Sequence, residues 1–228
     1  MDGKPIVTTE YRMSSVHSVV RSRGDDPDPL SDVIEVLGEA SDCDANVLAR
    51  MHAYLLPPEW ESVFDDLVAE LPALDLLLPL TTDEGVLDDE LLAHAGLSPA
   101  SHATDGLLVL DRLEVLPFAQ GMGLGGDCLR DLFRVAGRGC SLAALRAYPL
   151  QFERLPGGAP MPSPWGSVWS EMMLSEERDE SFEESVRAVE GFYERAGFCV
   201  AVRGRQGGAI MVRDLPVENS TTDFDLAT

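Results

Sequence analysis

The sequence predicts a mixed α/β fold of the α+β kind: a twisted mixed sheet of about six or seven strands with helices on both faces. Three stretches carry this expectation. Residues 107–116, LLVLDRLEVL, are an apolar run that leads into a glycine-rich turn and an amphipathic helix. Residues 140–148, CSLAALRAY, are a second apolar run directly after that helix. Further on, a helix closed by Gly197 precedes two short runs of strand character, 198–202 and 209–213.

Taken in order, residues 6–20 alternate in a way that suits a strand, and RGDDPDP at 23–29 is a loop signal. A helical region is expected next. Val47, Leu48, Met51, Tyr54 and Leu55 form one apolar face at helical spacing. After Pro57 and Pro58, residues Trp60, Val63, Phe64 and Leu67 form another, with Glu61, Asp65 and Asp66 turned to water. Leu87, Leu91 and Ala95 mark a third, short helix before a loop at 96–104. The run at 107–116 reads as a largely buried strand broken only by Asp111, Arg112 and Glu114, and Pro117 ends it. In the helix that follows, Leu129, Leu132, Phe133 and Ala136 share a face, and Gly137 or Gly139 stops it. Residues 151–174 are rich in Pro, Gly, Met and Trp; Trp165 and Trp169 are expected to close over the core rather than line a pocket. Residues 181–184 form an S-x-x-E capping box, opening a helix whose Val189, Phe192, Tyr193 and Ala196 share a face. GRQGG then joins the last two strands as a hairpin, and residues 217–228 form a polar, acidic, mobile tail.

Composition excludes several partners. The 228-residue chain carries 40 acidic against 17 basic residues, a formal net charge of -23, and Lys4 is its one lysine. Nothing here would neutralise phosphates over a broad surface, so no nucleic-acid partner is expected. The charge speaks first to solubility. The longest greasy stretch, 71–80, is interrupted by Asp75 and two prolines, and no membrane span is expected. Cys43, Cys128, Cys140 and Cys199 form no C-x-x-C pair and neighbour no histidine, which points to reduced thiols in the cytoplasm and to no metal. His17, His52, His94 and His102 are scattered without catalytic or ligand spacing and are read as structural or solvated.

The glycine turn is the chemically pointed feature. Glycines at 121, 123, 125 and 126 let the backbone turn tightly and bring N–H groups close to a ligand. The helix behind them adds unpaired N–H groups and its positive dipole end, the layout of a phosphate cradle. Gly121, Gly123 and Gly126 satisfy the dinucleotide pattern G-x-G-x-x-G, with Arg146 available for a 2′-phosphate. Against that reading, residues 117–120 separate the first glycine from the strand, and CSLAALRAY ends without the expected acidic residue.

A second template accommodates more of the chain. Gln120, Gly123 and Gly125, at a strand end and helix start, match Q/R-x-x-G-x-G/A; Phe192, Tyr193, Gly197 and Phe198 match a later pattern of an apolar residue, Tyr, three residues, Gly and Phe. With these two motifs in order, residues 106–213 resemble the GNAT superfamily of N-acetyltransferases, in an uncharacterised branch. The resemblance implies a GNAT-like acyl-CoA N-acyltransferase fold, with residues 1–104 as an N-terminal strand and helical region on the acceptor side. It makes 105–213 the acetyl-CoA-binding core and leaves 214–228 as the acidic tail.

The resemblance also implies a mechanism. Acetyl-CoA, the donor, would lie where residues 113–116 and the strand at 143–146 splay apart, touching Leu113, Val115 and Leu116. Its pyrophosphate would take N–H groups from Gln120, Gly121, Met122, Gly123, Leu124 and Gly125. A backbone N–H near Val115 or Leu116 would polarise the thioester carbonyl, an amine would attack directly in a ternary complex, and Tyr193 would protonate the departing thiolate. Tyrosine's reference pKa of about 10 suits that transfer. Asp111 and Glu114 are the candidate bases; they differ in strand parity, so at most one is expected to face the acceptor. The acceptor is a small-molecule or protein amine, and a homodimer through the C-terminal hairpin is compatible with its exposed edge. The turn holds no basic residue, so the alternative is a non-catalytic protein of the same fold that binds a partner protein or senses CoA.

Overall fold

The apolar runs at 107–116 and 140–148 become neighbouring strands inside a seven-stranded sheet. The structure is a computed structural model and describes residues 7–16, 32–98, 105–152, 165, 181–204 and 208–215. Its strands are β1 (Thr8–Ser15), β2 (Ile34–Ser41), β3 (Val47–Leu56), β4 (Gly106–Val115), β5 (Cys140–Ala147), β6 (Cys199–Arg203) and β7 (Ala209–Asp214). Across the sheet they run β1-β2-β3-β4-β5-β7-β6. The β4–β5 pair is parallel and all other neighbours are antiparallel. The described α-helices are α1 (Phe64–Glu70), α2 (Asp89–His94), α3 (Leu124–Ala136) and α4 (Phe182–Arg195).

Helices cover both faces because β4 and β5 are apolar on both. Leu108 and Leu110 pack on the side of Leu124, Leu129 and Leu132 of α3 and Tyr193 of α4. Leu107 and Val109 face the opposite way, onto Phe64 and Leu67 of α1, Leu77 of the 3-10 turn Pro72–Leu80, and Leu92 of α2. Each such leucine withdrawn from water contributes about 1.5–3 kcal/mol. This is the expected mixed α/β class, and β3 and β4, from either side of the boundary expected at 104–105, pair within the one sheet.

Local signals place the helices well. Asp88 caps α2, accepting from the N–H groups of Glu90 and Leu91. Both halves of the Ser181/Glu184 capping box form at α4, and Gly197 closes that helix at φ +89°. The helix expected over 47–55, in contrast, is strand β3, and β2 also lies where a helical region was expected. The physical reason is burial: β3 lies between β2 and β4, with core on both sides, so its apolar residues do not alternate. Positions 47, 48, 51, 54 and 55 thereby imitate a helical stripe. The expectations for residues 17–31, 99–104 and 216–228, including His17 and His102, and for Trp169 lie outside the described residues.

Candidate functional site

The opening at the centre of the sheet follows from where pairing stops. β4 pairs with β5 from Gly106/Cys140 to Leu110/Leu145 and no further. Beyond that point β4 continues on β3 as far as Val115, while β5 continues on β7 as far as Ala147. The two strands therefore part after Leu110 and Leu145: residues 113–116 lie beyond the last pair as expected, whereas Ala143, Ala144 and Leu145 are still paired and only Arg146 of that expected segment lies beyond it. Asp111 sits at the first position past the last pair. It is also a β-bulge: His52 faces Arg112 and Ala53 faces Leu110, which leaves Asp111 without a partner of its own.

The turn above the opening runs from a 3-10 turn, Pro117–Ala119, to the N-terminus of α3. Gly121 and Gly123 adopt φ +78° and +79°, a region that side chains with a Cβ rarely enter. Gly123 is the N-cap, no side chain caps the helix, and the N–H groups of Leu124, Gly125 and Gly126 precede the first intrahelical bond, Asp127 N–H to Gly123 O. Gln120 differs from expectation: its own N–H bonds Pro117 O, and its side-chain Nε2 donates to Val115 O at 2.8 Å. The Leu116 N–H likewise already donates to Leu48 O on β3. By strand alternation the Val115 N–H turns to the side that β5 has left, so of the two expected thioester donors Val115 is the one aimed at the opening. Met122 is exposed at the turn, and Leu124 is buried beneath it.

Gly125 has a packing role. A Cβ there would come within 3.1 Å of the Phe192 ring and 3.6 Å of Val115, so the glycine lets α4 approach α3 and β4 closely. Tyr193, beside Phe192, is buried, its ring centroid 4.9 Å from Phe192 and 5.8 Å from Phe198. Burial alone raises its pKa, so the phenol keeps its proton across the neutral range.

On the opposite sheet face the bulge gathers what parity was expected to separate. Leu113 and Val115 pack toward the α3 side, and Arg112 and Glu114 turn the other way. His52 Nδ1 lies 2.9 Å from Asp111 Oδ2, and its Nε2 lies 2.9 Å from Glu35 Oε1. Arg112 reaches both Asp111, at 3.9 Å, and Glu114, at 3.4 Å. Arg50 pairs with Glu39 at 2.8 Å, and its guanidinium lies 5.9 Å from the Trp165 ring centre. Asp111 and Glu114 thus belong to one network on one face, so strand parity does not place them on opposite faces as expected. Burial would push the His52 pKa down; hydrogen bonds and charge from Asp111, then Glu35, outweigh it and the net shift is upward. Tyr54, 4.8 Å from His52 ring to ring, has its pKa raised by burial first and by the charges of Asp111 and Glu35 next.

His52 is the residue sequence reasoning passed over. Its partners lie 17 and 59 positions away, a separation no local pattern reports.

Among the described residues no group of three or more His, Cys, Asp or Glu is placed to hold a metal ion. No described helix is long and apolar enough to cross a membrane. All four cysteines are free, and burial pushes the Cys128 thiol up to about 12 and Cys140 up to about 11. Fold and site together define a class: a mixed α/β protein whose sheet opens between two parallel strands beside an uncapped helix N-terminus. Neither a scan against protein-family models nor a search of curated proteins returns a match for this chain.

Proposed function

We propose that the chain is an acyl-CoA-dependent N-acyltransferase of GNAT-like fold that moves an acetyl group from acetyl-CoA to a primary amine. The observation that carries this reading is the parting of β4 from β5 next to the uncapped N-terminus of α3. Peptide N–H groups at 121–126 would take the pyrophosphate, and the Val115 N–H would meet the thioester oxygen. The amine nitrogen forms the new N–C bond, the C–S bond breaks, and the Tyr193 O–H supplies a proton to the departing sulfur. The acceptor's ammonium gives one proton to a carboxylate, Asp111 or Glu114, and the second proton its nitrogen sheds as the amide forms restores the Tyr193 phenol. No metal enters this scheme. Four free thiols suit a cytoplasmic setting, and a homodimer through β6 suits its edge position.

A second reading rests on a specific observation. The segment PFAQGMGLGG at 117–126 holds no basic residue, so phosphate would be bound by neutral donors alone. A non-catalytic protein of this fold that binds a partner or senses CoA fits that feature. Isothermal titration with acetyl-CoA at moderate salt, with NADPH as control ligand, tests the donor site. Micromolar binding of acetyl-CoA alone is expected; preference for NADPH or binding of neither ligand overturns the acyl-CoA reading. Turnover with amines then separates enzyme from sensor.

A further inference from the structure

We propose that His52 is a positioning residue on the acceptor side: gripped at both ring nitrogens by Glu35 and Asp111, it holds the Asp111 carboxylate at the edge of the opening, where Asp111 receives the acceptor's ammonium group. This rests on the acyl-transfer reading and deepens it, since it names a cationic primary amine as the acceptor and chooses between the two candidate carboxylates.

Position argues first. Asp111 is the bulge residue and the first residue beyond the last β4–β5 pair, so its side chain is re-aimed where the sheet opens. Access argues second. The Asp111 side chain is 24% exposed, whereas that of Glu114 is 3% exposed and bonded to Arg112. Valence argues third: both contacts of Asp111 among the described residues, from His52 Nδ1 and Arg112 Nε, use Oδ2, which leaves Oδ1 for a ligand. The imidazole is 9% exposed on its side chain and spans β2 to β4, so it fixes the carboxylate more rigidly than a flexible surface cation would. Trp165, with its ring centre 6.4 Å from His52, walls the same patch.

Among the described residues, the charged groups around His52 belong to this face. Glu35 and Glu39 come from β2, Arg50 from β3 with Tyr54 beside it, and Asp111, Arg112 and Glu114 from β4. With the imidazole protonated, both ring N–H groups donate and both carboxylates are satisfied. Loss of that proton leaves one carboxylate without its donor. The raised pKa of His52 favours the protonated clamp.

The test uses the full chain. Acetyl-CoA affinity is measured by titration, and CoA release is followed with putrescine, spermidine, tyramine, glycinamide and lysine methyl ester. For the best amine, His52→Gln, Asp111→Asn, the double variant, and Glu39→Gln as control are compared from about pH 6 to about pH 9. The dissociation constant for acetyl-CoA is expected to stay within about twofold in all variants, while kcat/KM for the amine falls about 10–100-fold in each single variant. The double variant should be no worse than Asp111→Asn, because the two residues act as one unit. The wild-type profile should carry an inflection that His52→Gln lacks. Should His52→Gln fail to fold, Glu35→Gln loosens the same clamp from its 34%-exposed side and should lower kcat/KM several-fold. Amine kinetics unchanged in Asp111→Asn, or losses that multiply in the double variant, overturn the assignment. Acetyl-CoA binding without turnover of any amine overturns the transfer reading itself, and the assignment falls with it.

Discussion

Replacing Tyr193 by phenylalanine separates chemistry from packing. The substitution removes one oxygen from a side chain that is 8% exposed and packed against Phe192 and Phe198. Burial is the sole cause of its pKa shift, with no charge or hydrogen bond contributing, so the change orphans no partner among the described residues. Stability should move by less than about 1 kcal/mol. Tyr193→Ala instead empties an aromatic site, which costs about 3–5 kcal/mol. For a chain of this size that lowers the melting temperature by roughly 6–20 °C, at about 2–4 °C per kcal/mol. If Tyr193 protonates the thiolate, Tyr193→Phe lowers kcat by about 100- to 10,000-fold, equivalent to about 2.7–5.5 kcal/mol in the barrier. The assays are a thermal melt, an acetyl-CoA titration and the rate of CoA release. A folded Tyr193→Phe protein that binds acetyl-CoA normally and turns over at the wild-type rate would refute the acid role, and Tyr193 would then be a core aromatic.

Two further outcomes are expected from the geometry. His52 holds its proton more tightly folded than unfolded, so its contribution to stability is complete below the unfolded value near pH 6.5 and is lost as pH rises through the higher folded value. Urea denaturation should therefore show the wild type losing more stability than His52→Gln between about pH 6 and about pH 9; parallel losses contradict this account. Gly106→Ala and Gly126→Ala should move urea midpoints in opposite directions. A Cβ at Gly106 lies 2.6 Å from Leu56 O and 3.1 Å from Gly139 O, backbone atoms that cannot step aside, and overpacking of this kind costs about 1–3 kcal/mol. At Gly126 nothing lies within 4 Å in the first turn of α3, and alanine there gains up to about 1 kcal/mol.

Much of the half of the chain after residue 105 was legible because its signals are local. Pro117 ends a strand, Gly123 admits a left-handed N-cap, Ser181 and Glu184 bond each other three residues apart, and Gly197 closes the helix before the β6–β7 hairpin. Each is read from neighbours within one turn of helix. The first half was less legible. In β3, apolar residues at 47, 48, 51, 54 and 55 satisfy helical spacing, yet the segment is extended because β2 and β4 flank it and core lies on both faces. Periodicity reports which faces are dry, and a strand dry on both sides has no period to report.

The site divides the same way. The glycine turn, the candidate donor N–H groups and the Tyr193 motif stand in the order of residues along the chain. The meeting of His52 with Asp111 and Glu35, and the use of the Leu116 N–H by Leu48, depend on which strands pair and in which register. Strict alternation placed Asp111 and Glu114 on opposite faces; one extra residue at the bulge resets that alternation and puts them in one network. Local chain chemistry decided where elements begin and end, since caps, prolines and glycines act on backbone groups a few residues away. Register between strands distant in sequence decided which side chains meet, because that choice minimises the free energy of the whole packed sheet and of no single segment.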